Sequence, residues 1–145
     1  MSDITADGVH MSDSGTGLVT VRCARPVRET TDRLAEVVAA AGLTVFARID
    51  HGGNAVQVGM ELRPTELLIF GNPRGGTPLM QDQQTAGIDL PVKALVWEDA
   101  AGTVWLTYND AEWVARRHGL GPSSRGAVEA LGKGLAAVAE KATAG

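Results

Sequence analysis

Residues 66–80 read ELLIFGNPRGGTPLM, and the reading of this stretch decides the fold. Leu67, Leu68, Ile69 and Phe70 make a short unbroken apolar run, the pattern of a strand covered on both faces inside a sheet. Gly71 ends the run, Asn72-Pro73 starts a turn, and Gly75-Gly76 relax the backbone. Thr77 before Pro78 reads as an N-cap with proline at the first helical position, where a missing N–H costs nothing. The expectation is a central strand, a turn rich in Gly and Pro, and a helix from Pro78.

A strand, a glycine turn and a helix N-terminus in succession aim backbone N–H groups and the positive end of a helix dipole at one place, which favours an anion. Arg74 adds a formal charge there, so Asn72, Arg74, Gly75, Gly76 and Thr77 are the candidate ligand-binding residues. The spacing of Gly71, Gly76 and Thr77 resembles a P-loop, but no Lys follows the second Gly and Pro73 removes a donor, which excludes a nucleotide triphosphatase. A tight turn with a solvated arginine explains the same residues, and both readings stay open.

Outward from this stretch, the chain alternates strands and helices. Residues 18–23 have period two, with Val19, Val21 and Cys23 on one face. After Pro26, the residues Val27, Leu34, Val38 and Ala41 share a helical stripe that ends at Gly42. Residues 43–50 return to period two; Val45, Ala47 and Ile49 share the inward parity, which His51 would continue. Asn54 is expected to cap a short helical turn after Gly52-Gly53. Residues 92–97 and 103–108 form a hairpin, Asn109-Asp110 caps a helix that ends near Gly119, and residues 123–143 form an amphipathic helix. Gly126, Gly132 and Gly134 each cost that helix about 1 kcal/mol against Ala, so packing or a partner chain must hold it. The fold class is α/β of the α+β type: a two-layer mixed sheet of about five strands with helices packed on it, in the order β-α-β-α-β-α-β-β-α-α.

The chain has 145 residues and a formal net charge of -4, enough length for one domain with a real core. The acidic balance and the lack of a Lys/Arg cluster argue against nucleic acid and anionic membranes as partners. No apolar run has the length of a membrane span. A lone Cys23 forms no internal disulfide, which suits a reducing, cytoplasmic setting. Residues 1–16 are small and polar and repeat MSD at Met1 and Met11; they are expected to be a disordered leader outside a single globular domain of residues 17–145.

Few side chains here suit chemistry. His51 is the leading one, because an imidazole titrates near neutrality and this one stands where a strand ends. Glu66 could orient it, and the Tyr108 hydroxyl, on the Val104 face, could be its buried partner. These three are the candidate catalytic residues. Each has a structural alternative: a histidine bonded to a backbone carbonyl, an exposed carboxylate at a strand end, a core tyrosine. His10, His51 and His118 are too scattered for a metal site, no nucleophile elbow occurs, and no cofactor is expected.

The wording TVFARIDH at residues 44–51, LRPTELLIFGNPRGGTPLM at 62–80, LPVKALVWED at 90–99 and VWLTYND at 104–110 resembles the bacterial domain of unknown function 302 family over residues 18–120. The resemblance implies a compact α/β domain with helices on a mixed sheet, a homodimer, and no established activity. It carries over His51, Pro64, Glu66, Gly71, Asn72, Pro73, Thr77, Pro91 and Tyr108 as recurrent positions. Gly52-Gly53-Asn54 departs from the family's wording, and the last helix lies outside the matching stretch. Two functions follow as expectations: a binder of a small anionic or partly apolar organic ligand, extending to acid/base chemistry, or a non-catalytic homo-oligomeric module. A haem held by His51 is a weaker third.

Overall fold

The computed structural model describes residues 2–5, 10–13 and 15–145. Seven strands form one sheet: β1 (Ser2–Thr5), β2 (His10–Asp13), β3 (Leu18–Arg22), β4 (Thr44–Asp50), β5 (Thr65–Gly71), β6 (Val92–Glu98) and β7 (Val104–Asn109), in the spatial order β1-β2-β3-β7-β6-β5-β4. Among the described residues five α-helices accompany them: α1 (Val27–Ala40), α2 (His51–Gln57), α3 (Pro73–Asp82), α4 (Ala111–His118) and α5 (Arg125–Thr143). From β3 onward the element order is the expected one, and the fold is α+β. Residues 1–16 do not all stand outside it, because β1 pairs with β2 and β2 with β3 at that edge of the sheet. The rest of that leader, residues 1, 6–9 and 14, lies outside the described residues, apart from the turn at residues 15 and 16.

The pairing is antiparallel at every step, where a mixed sheet was expected. The reason lies in one crossover. α1 carries the chain from β3 across to β4, the far edge strand, so these two strands, which run in the same direction, never become neighbours. β5 is paired on both edges but stands next to the β4 edge rather than at the centre. Its burial alternates: Glu66, Leu68 and Phe70 are buried, while Leu67 and Ile69 are half-buried. The apolar run is therefore packed on one face, not two.

That face meets the helices. Leu68, Phe70, Ala94, Val96 and Leu106 lie beneath Leu34 and Val38 of α1 and Leu135, Val138 and Ala139 of α5. A second apolar cluster, Leu79, Ala86, Ala111, Ala115 and Val128, joins α3, α4 and α5. α5 packs on α1, α3 and α4 of its own chain, which supplies the support its glycines require.

A bulge corrects the parity of β4. Val45 pairs with Phe70 and Ala47 with Ile69, so Phe46 is an extra residue and every later side chain changes face. Ala47 and Ile49 stand beside Ile69 and Leu67 on the less buried face, whereas Arg48 lies opposite Leu68 on the helix side. β4 ends at Asp50, whose carboxylate accepts the Gly53 N–H at 2.8 Å and caps α2. The short helix thus begins at His51, not after Asn54, and a Cβ on Gly53 would sit 2.5 Å from the capping carboxylate.

Candidate functional site

α3 begins at Pro73, five residues before the expected start. Asn72-Pro73 carries the same cap-plus-proline signal as Thr77-Pro78, and the earlier pair wins; Pro78 is inside the helix. The difference changes the chemistry of the N-terminus. Pro73 has no N–H, the Arg74 N–H donates to Asn72 Oδ1 at 2.9 Å, and the Gly75 and Gly76 N–H groups donate to the Asn72 carbonyl at 2.9 and 3.2 Å. The first-turn amides are all used locally, so no free amide cradle awaits an anion. What faces outward is the dipole of the helix and the Arg74 guanidinium, which is exposed and has no carboxylate or hydrogen-bond partner among the described residues.

Two clefts open on this turn. The first, about 220 Å³, is floored by Phe46, Met80, Leu90 and Pro91 and walled by Pro73, Gly76 and Thr77. The second, about 270 Å³, lies between Arg74 and Gly75 on one side and Ala127, Ala130 and Gly134 of α5 on the other, with Leu43, Phe70 and Leu135 behind them. Gly71, Asn72, Val92 and Leu131 belong to both. The two linings contain one charged side chain, Arg74, and no Asp, Glu, His, Cys or Tyr. Each volume is modest beside the ~300–1,000 Å³ of ordinary small-molecule sites, and both linings have the apolar character of such sites. The width of the second cleft is braced by Asp82 at the end of α3, whose carboxylate accepts from Ser124 Oγ at 2.7 Å and the Gly121 N–H at 2.8 Å, just before α5. Those bonds, Ser124 first, hold the Asp82 carboxyl below the usual carboxylate range.

The structure brings Asn72, Arg74, Gly75, Gly76 and Thr77 together on the cleft walls and leaves His51, Glu66 and Tyr108 elsewhere. His51 is exposed at the start of α2, beside the Asp50–Glu66 pairing. Asn72 is six residues further along the strand direction, roughly 20 Å away at the rise of an extended chain. Glu66 is buried and committed: Arg48 Nε and Nη2 both reach its Oε1 at 2.9 Å, and Arg48 Nη1 also bonds Asp32 of α1 at 2.7 Å. Tyr108 lies in the core among Phe70, Ala94 and Leu135. Burial, with the Asp110 carboxylate adding to it, pushes its phenol up, and its hydroxyl has no hydrogen-bond partner among the described residues. Of the two clefts that open on the α3 turn, neither is lined by His51.

His118 is a histidine with side-chain partners. Its Nε2 is 2.6 Å from Asp89 Oδ2 and its Nδ1 is 3.0 Å from Thr85 Oγ1, while Arg117 also bonds Asp89. The cluster bolts the turn at Gln84–Ile88 to the end of α4. Nothing in the local sequence announces it, because the partners lie 33 and 29 residues apart in the chain. Among the described residues no three His, Cys, Asp or Glu side chains converge where a metal ion could sit. No described helix is long and apolar enough to cross a membrane.

The architecture is that of a two-layer α+β domain with its clefts at one end of an antiparallel sheet. The family described as Domain of unknown function DUF302 matches residues 19–141, and the chain belongs to it. The match takes in α5, which the resemblance over residues 18–120 left out. A crystal structure of an uncharacterized conserved DUF302 protein from Bacillus stearothermophilus shares the fold, with a TM-score of 0.77 and 20% identity, covering 87% of this chain and 98% of that one. The chain is 52% identical over 126 residues to a protein named fluoride-specific ion channel FluC 1 from Brucella suis biovar 1 (strain 1330), and equally to one of that name from Brucella abortus biovar 1 (strain 9-941). The alignments cover 87% of this chain but 50% and 47% of those proteins, so the chain spans about half the length of the curated relatives it matches.

Proposed function

We propose that this protein binds a small organic ligand with an anionic end and a partly apolar body in the clefts around the start of α3, and does so without catalysis. One observation carries the reading: Arg74 is an unpartnered cation among the described residues, and it borders a cleft whose other walls are almost all apolar. An anion there gains the guanidinium and the positive end of α3, while its apolar body displaces water from Leu43, Phe70 and Leu135. Acid/base chemistry is not part of the proposal, because the linings hold no group that titrates near neutrality and His51 lies at the other end of β5. Calorimetric titration with small organic carboxylates and phosphates tests it. Binding that weakens at least about tenfold in Arg74→Ala, the order of a charge-assisted hydrogen bond, supports the site; binding indifferent to that change refutes it.

A second reading, a non-catalytic interaction module acting as a homodimer or beside other chain segments, is favoured by the exposed apolar run Val56, Val58, Met60 and Leu62 after α2. The half-length match to the relatives named as ion channels agrees with a domain that works joined to further chain. Light scattering of Val58→Asp and Met60→Asp addresses it: a dimer that becomes a monomer supports this reading, and an unchanged mass removes it.

A further inference from the structure

Resting on the ligand-binding reading above, we infer that the ligand is a flexible linear amphiphile: an aliphatic chain with a terminal carboxylate, its anionic end at Arg74 and its chain along the joined clefts. Two features of the linings point there. The clefts share Gly71, Asn72, Val92 and Leu131, so they are adjacent basins, and a molecule reaching from one into the other has to bend over that common wall. Polar side chains along them are few: besides Arg74 there are Thr77 and Asn72, whose Oδ1 already accepts the Arg74 N–H, which leaves little to orient the hydrogen-bonding edge of a sugar or a base. Selection must then come from apolar length, with one charge to set direction.

Gly134 explains itself in the same terms. It lies inside α5, where glycine is costly, and nothing stands within 4 Å of the position its Cβ would take. Close packing is therefore not what excludes a side chain. Gly75, on the facing wall, has the same open surroundings. A large side chain at Gly134 would project into the second cleft, next to Ala127 and Ala130, and fill the space assigned to the chain.

The test is a calorimetric series of butyrate, hexanoate, octanoate and decanoate, with benzoate and 2-naphthoate as rigid comparators. Affinity should rise about fourfold per methylene until the clefts are full, as burial of each CH₂ requires, and then level off. Octanoate should bind more tightly than 2-naphthoate. Gly134→Leu should remove most of the gain between butyrate and decanoate. Ala130→Leu, at an exposed position on the same wall, is the second variant should Gly134→Leu fail to fold. If no acid binds, the anion site itself is wrong, and this inference falls with it. If acids bind but affinity ignores chain length, favours the rings, or keeps its length dependence in the plugged variant, the site stands and the linear amphiphile is wrong.

Discussion

Gly134→Ala should make the protein more stable, and its size can be worked from the structure. A glycine in a helix interior is worse than alanine by about 1 kcal/mol. Roughly 0.4–1 kcal/mol of such a gain comes from the stiffer unfolded chain alone. Nothing within 4 Å of the new methyl opposes it, so no clash is subtracted. The expected net gain is about 0.5–1 kcal/mol, or a rise in Tm of roughly 1–4 °C for a chain of this length. Urea denaturation at equilibrium measures it, with an unchanged slope showing that only stability has moved. Gly17→Ala is the internal contrast: Gly17 has φ +75, and its Cβ would fall 2.3 Å from the Trp113 ring, so the same substitution should destabilise. If Gly134→Ala also lost stability, the face of α5 at that position would not be open, and the second cleft would be filled by part of the protein itself.

Leu68→Ala should cost about 2–5 kcal/mol, because Leu68 is fully buried beneath α1 and α5; a loss under about 0.5 kcal/mol would remove it from the core. Acid should unfasten two carboxylates, Asp82 and Asp99, the latter held low by the Trp105 indole N–H and the Thr103 and Ala101 amides. Their folded pKa values lie below the unfolded ones, so their contribution is complete above the unfolded value of about 3.9 and is lost as pH falls through the folded value. Asp82→Asn with Asp99→Asn should therefore flatten the fall in stability at acid pH, and an unaltered acid limb would contradict this. Burial pushes the Cys23 thiol up to about 12, so iodoacetamide at pH 8 should label it only when the chain unfolds; prompt labelling of native protein would show the strand end open.

Much of this fold was legible because simple periods were obeyed. Residues 104–108 alternate in burial as they alternate in sequence, and the helical stripe of Val27, Leu34 and Val38 is the buried face of α1. Where reading failed, one local event reversed a long consequence. The bulge at Phe46 exchanges the faces of Ala47, Arg48 and Ile49, so an arginine points toward the helices to meet Glu66 and Asp32. Period-two reasoning has no means of detecting one extra residue. Asn72-Pro73 and Thr77-Pro78 offer the same kind of start signal, and the helix begins at the earlier pair, where Asn72 Oδ1 accepts the Arg74 N–H.

The candidate site divides in the same way. The residues of one turn, Asn72 to Thr77, stood out because glycine, proline and arginine at a strand end have chemical reasons to be there. The opposing wall, Ala127, Ala130 and Gly134, lies more than fifty residues away and reads locally as a weak helix. His51 attracted attention by residue type and by its place at a strand end, while His118 acquired its partners only through the approach of the turn at Gln84–Ile88 to α4.

The central claim, that an organic anion binds between the start of α3 and α5, is tested most directly by following backbone amide resonances while octanoate is added to the isotope-labelled protein. Shifts should be concentrated at residues 71–77, Val92 and 127–134, with His51 and its neighbours in α2 unmoved. Shifts centred on His51, or none at all at concentrations that saturate the calorimetric signal, would contradict it.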